Sequence, residues 1–98
     1  MLTLQLSSAA ADDLTQAMRF YREQAGEKLA GLYLTEFERV AAILCEFPEL
    51  GTPLSVGRRV FPLRRFPYSV FYRRHDHFLR VIAVVHQRRH PVVSQGRH

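Results

Sequence analysis

The sequence predicts an α+β domain of order β-α-α-β-β-β, with a helical hairpin packed on one face of an antiparallel sheet. Three observations predict it. Residues 1–50 hold two successive stretches with apolar spacing of about 3.6. Residues 58–86 hold three short runs rich in aromatic and β-branched residues, separated by turn signals. A brief alternation, Leu2, Leu4 and Leu6 against Thr3, Gln5 and Ser7, precedes both and reads as a strand with one buried face.

The elements follow in order. Ser7 or Ser8 caps the first helix, and Asp12 and Asp13 sit favourably in its first turns. Leu14, Ala17, Met18, Tyr21 and Ala25 form its apolar stripe, and Gly26 ends it. The second helix carries the stripe Leu29, Tyr33, Phe37, Val40, Ala41 and Leu44, and Pro48, Gly51 and Pro53 close it. After Gly57 a run from Arg59 to Arg65 contains Pro62, which suits an edge strand or a bulge. Pro67–Arg74 is the next strand and His75–Asp76–His77 the turn. Phe78–His86 is the most apolar run, expected at the sheet centre. Strict alternation there puts Leu79, Val81, Ala83 and Val85 against the helices, and Arg80 and His86 on the open face.

A length of 98 residues suits a single domain, placed at residues 1–90, with a flexible tail at 91–98. The one cysteine, Cys45, excludes an intrachain disulfide and reads as core. No CxxC or HxxxH spacing marks a metal site, and glycine placement forms no phosphate loop. No metal and no cofactor are expected. No signal peptide and no membrane span is read, which points to the cytoplasm.

The charge is divided along the chain. Residues 1–50 carry eight acids and four bases, whereas residues 51–98 carry one acid and ten arginines. Arginine forks onto phosphate and carboxylate oxygens better than lysine does. The arginine half therefore suggests a face for an anionic partner, set against acidic helices. Arg64 and Arg65 suit phosphate contacts, or an edge strand guarded by charge.

Several strings in this order resemble the RelE/ParE toxin superfamily over residues 2–91. They are Ala10–Ala11–Asp12–Asp13–Leu14, Phe20–Tyr21, Phe37–Glu38, Pro62–Leu63, Phe66–Pro67–Tyr68, Val70–Phe71–Tyr72–Arg73, and the segment from Ile82 through His86–Gln87–Arg88–Arg89. The resemblance implies a growth-inhibiting toxin of a type II toxin–antitoxin system, of the kind tied to plasmid stabilization, neutralised by a cognate antitoxin in a hetero-oligomer. It also implies one of two targets. ParE-like members act on DNA gyrase; RelE-like members cut messenger RNA on the ribosome. In the nuclease branch an arginine opens the third sheet strand, in a string like Tyr-Arg-Leu-Val-Tyr. Here Tyr68–Ser69–Val70–Phe71–Tyr72 places Ser69 at that position, and no aromatic follows Phe78. The ParE-like reading is therefore preferred.

Under that reading Arg64, Arg65, Arg80, His86, Arg88 and Arg89 are the candidate target contacts. Leu14, Met18, Tyr21, Tyr33 and Phe37 are the candidate antitoxin contacts. Under the nuclease alternative, His86, Arg88 and Arg65 are the catalytic candidates, since cleavage needs a base, an acid and cations around the phosphorane. A degenerate, non-toxic member is the further alternative. A basic nucleic-acid-binding module has charge in its favour but no helix-turn-helix or stacking motif.

Overall fold

The computed structural model describes residues 1–88. Its elements are β1 (Thr3–Leu6), α1 (Ser8–Ala25), α2 (Glu27–Glu46), β2 (Thr52–Pro53), β3 (Arg58–Pro62), β4 (Tyr68–Arg74) and β5 (Phe78–His86), with a 3₁₀ turn at Ser55–Gly57. They form the expected α+β fold. The sheet order is β1-β5-β4-β3-β2, and only the β1–β5 pairing is parallel. The two-residue β2, too short to leave a pattern in sequence, adds a bridge to Arg59 and Val60. The expected tail at 91–98 lies outside the described residues, as do Arg89 and His90.

Local chemistry sets the helix ends. The Ser7 hydroxyl accepts from the Ala10 N–H and donates to the Ile82 carbonyl, so one side chain caps α1 and ties it to β5. Gly26, at φ 93°, ends α1 and begins α2 with no intervening loop, in a backbone state that L side chains rarely adopt. The core lies between the hairpin and the sheet. Tyr33, Val40, Leu44, Val70, Tyr72, Leu79 and Val81 are fully buried there, and Cys45 is buried beside them. Tyr72 fixes the return from α2 to the sheet: its hydroxyl donates to the Pro48 carbonyl (2.8 Å) and accepts from the Gly51 N–H (2.9 Å). A Cβ on Gly51 would lie 2.5 Å from that hydroxyl, so only glycine fits.

Three expectations are corrected. Leu4 and Leu6 are 38% and 39% exposed, because β1 is the edge strand and has a neighbour on one side only. The run expected to reach Arg65 ends at Pro62, and Arg64 and Arg65 lie in the β3–β4 connection, where Arg65 takes φ 75°. The alternation in β5 does not persist. The pairing shifts between Phe71 and Tyr72, so Phe71 opposes Ala83 while Tyr72 opposes Val81. Ile82 is the extra residue of a β-bulge, and every side chain beyond it changes face. Leu79 and Val81 point at the helices as expected. Beyond the bulge it is Val84 that is buried in the core, and Ala83 and Val85 are displaced to the open face.

Candidate functional site

The bulge decides where His86 goes. His86 pairs with Tyr68, and the two rings meet edge-on at 5.1 Å on the helix side of the sheet. Tyr68 in turn meets Tyr33 at 5.2 Å, and Phe66 and Tyr21 complete an aromatic cluster beneath α1 and α2. His86 therefore belongs to the rim of that cluster and lines a groove with Asp13, Gln16, Phe20 and Tyr68. Its Nδ1 accepts from the Arg88 N–H at 3.1 Å. The Tyr33 hydroxyl is buried with no hydrogen-bond partner among the described residues, and burial pushes its pKa far above the ordinary tyrosine value. Burial raises Tyr21 too, with Tyr68 adding to the effect.

Two helix carboxylates anchor this end of the sheet. β1 stops at Leu6, which leaves the far half of the β5 edge without a strand neighbour. Ser7 covers Val81 and Ile82 there, and the Asp13 carboxylate accepts from the Val84 N–H at 2.9 Å. On the other side, Glu36 accepts from Arg39 Nε and a terminal nitrogen of the same guanidinium, both at 2.8 Å, and from the Arg64 N–H at 2.6 Å. The Arg39 hydrogen bond, with the Arg64 N–H behind it, holds the Glu36 carboxyl below its ordinary pKa despite partial desolvation. Glu36 thereby fixes the turn that carries Arg64 and Arg65, which with Leu29, Leu32, Arg39 and Phe66 line a groove of about 410 Å³.

The candidate target contacts thus do not form one site. Arg64, Arg65, His86 and Arg88 gather at the end of the sheet where β4 begins and β5 ends. Arg80 lies near the opposite end, and Arg89 is outside the described residues. At that opposite end Arg80 has company that the sequence reading did not single out. Arg58 opposes Arg73, and Arg73 opposes Arg80, so three neighbouring strands present three arginines in a row on the open face. They line a cavity of about 420 Å³ with Val56 and Ile82. No sequence periodicity could have found this row, because it exists only once the strand register is known.

The candidate antitoxin contacts divide as well. Leu14, Tyr33 and Phe37 are 6%, 0% and 2% exposed and belong to the molecule's own core. Their stripe meets the sheet. Met18 and Tyr21 are half-buried, and Phe20 and Leu32, at 52% and 46%, are the exposed apolar side chains of the hairpin.

No helix among the described residues is long and apolar enough to cross a membrane. Among them, too, no three His, Cys, Asp or Glu side chains cluster as a metal site would require.

Comparison with known proteins places this geometry in a family. The family model described as the ParE toxin of the type II toxin–antitoxin system, parDE, matches residues 4–91. Toxin ParE2 of Mycobacterium tuberculosis, in strains CDC 1551 and H37Rv, is 30% identical over 88 residues, covering 90% of this chain and 84% of the relative. A solved structure titled as the chromosomal ParDE TA system from P. aeruginosa superposes with a TM-score of 0.77 at 22% identity, over 88% of this chain and 96% of that one; at that identity the likeness concerns the fold. With nearly the whole chain matched, this protein belongs to the ParE toxin family of type II toxin–antitoxin systems.

Proposed function

We propose that this ParE-family toxin arrests growth by acting on DNA gyrase in the cytoplasm, and that a cognate antitoxin neutralises it. The observation that carries the choice of target is Ser69. It stands where the nuclease branch places an arginine, and it is 4% exposed within β4. A buried hydroxyl offers no positive charge to a developing phosphorane. The position of His86 supports the same choice: it sits against Tyr68 under the hairpin, on the opposite face from the arginine row.

The antitoxin reading is supported by family membership and by the exposed apolar groups of the hairpin, Phe20 and Leu32, beside half-buried Met18 and Tyr21. An amphipathic segment folding onto them would bury that surface.

Expression without antitoxin tests the proposal. The expected result is growth arrest with loss of gyrase supercoiling and a DNA damage response, reversed by the antitoxin. Normal supercoiling at growth-arresting levels would remove gyrase as the target. Rapid cleavage of translated messages, abolished by His86→Ala or Arg88→Ala, would replace it with the nuclease reading. Harmless overexpression would mark a degenerate member.

A further inference from the structure

Like charges directly opposite one another on neighbouring strands are destabilising. The row Arg58–Arg73–Arg80 places three of them side by side across β3, β4 and β5. No ion pair among the described residues relieves it. The ion pairs among the described residues are Arg22–Glu27, Arg39–Glu36 and Arg74–Glu49, and none involves the row. Arg73 donates to a neutral acceptor, the Val56 carbonyl (2.6 Å). Arg58 Nε is buried without a hydrogen-bond partner among the described residues, a cost to the fold. Val56 itself is held at φ 62°, a strained state for a β-branched residue, at the rim of the cavity.

We propose that the row is a binding site for the phosphate groups of a nucleic-acid strand. The shape of the charge argues for a polyanion. Strands lie about 4.8 Å apart, so the outer two arginines start about 10 Å apart at the backbone, and the three guanidiniums together carry more charge than one small anion neutralises. The surroundings argue for phosphates over an acidic peptide. A peptide draws its affinity from apolar anchors and from backbone pairing at a free sheet edge. At the level of the row the strands have neighbours on both sides, Gln5 beside Arg80 and Leu54 bonded to the Arg58 carbonyl, and Val56 and Ile82 supply the apolar lining of the cavity. Forked donors with few anchors are the make-up of a sequence-independent, salt-dependent phosphate contact. The site lies at the opposite end of the sheet from Arg64, Arg65, His86 and Arg88, and it holds or fails whether or not gyrase is the target.

The test uses the full chain and a labelled single-stranded 12-mer, read by fluorescence anisotropy. The expected result is saturable binding, weakened about fivefold or more by Arg80→Gln and by Arg73→Gln. The slope of log affinity against log salt should fall by about one for each arginine removed. Arg19→Gln on the exposed side of α1 makes the same charge change away from the row and should leave both quantities near the parent values. Arg80 is exposed and forms no hydrogen bond or ion pair among the described residues, so its variant should melt no lower than the parent chain. Equal weakening by Arg19→Gln and Arg80→Gln would overturn the proposal, since net charge alone would then account for binding. Unchanged binding in Arg73→Gln and Arg80→Gln would overturn it too. So would competition by a polyglutamate of equal charge at the oligonucleotide's own concentration, or by inorganic phosphate at equal phosphate concentration.

Discussion

The two ends of the sheet treat charge in opposite ways. Where β4 begins and β5 ends, helix carboxylates meet the backbone: Asp13 holds the Val84 N–H, and Glu36 holds the Arg64 N–H together with the Arg39 fork. At the far end Arg58, Arg73 and Arg80 face one another with no acid among them. The helices are acidic, but the hairpin covers one face of the sheet only, so its carboxylates reach the covered face and the strand edges. Among the described residues the open face is left with its arginine row without an ion pair. Charge is therefore part of the fold at one end and surplus to it at the other.

The largest expected effect comes from breaking the compensated end. Glu36→Ala removes a carboxylate that accepts three hydrogen bonds, and it should cost about 2–3 kcal/mol in urea unfolding, in the range of hydrogen bonds to charged groups. The effect depends on pH with a definite sign. Glu36 is held below its unfolded value of about 4.5, so its contribution is present above that pH and is lost as pH falls toward the folded value. The gap between parent and Glu36→Gln should narrow from pH 7 to pH 3. A gap that stays constant would show that shape, not charge, holds the turn.

Asp13 gives the next effect. Asp13→Ala leaves the Val84 N–H without its acceptor at the uncovered edge of β5 and should cost about 1–2 kcal/mol. Asp13→Asn keeps an oxygen in place and should recover most of that. Equal losses in both variants would assign the effect to charge at the start of α1.

How much of this was legible in sequence follows from how local each feature is. The hairpin was legible because its signals, the Ser7 cap, Gly26 and the two stripes, act within a few residues. Ser69 could be marked from a string of five. The face of His86 could not, because the Ile82 bulge is a property of the β4–β5 register, and Ala83 and Val85 look like core residues until that register is known. The arginine row escaped for the same reason: its members are 15 and 7 residues apart, and only pairing brings them together. Of the five proposed antitoxin contacts, three are in the core because an apolar helix stripe fills the molecule's own interior before it serves a partner.

The smallest effect is the most telling for the comparison. Arg80→Glu places an acid opposite Arg73 and converts the uncompensated end into a copy of the compensated one. A favourable cross-strand pair replacing a repulsive one should raise stability by about 0.5–1 kcal/mol, since such pairs contribute a few tenths to one kcal/mol each. A gain on the solvent-exposed face should shrink with added salt, because exposed charges are screened over about 10 Å at 0.1 M. The gain is measured as a shift in urea midpoint at low salt with an unchanged slope. If Arg80→Glu is neutral or destabilising at low salt, the guanidiniums of the row do not repel one another in the folded chain, and the strain that marks this end as built for something outside the fold is not there.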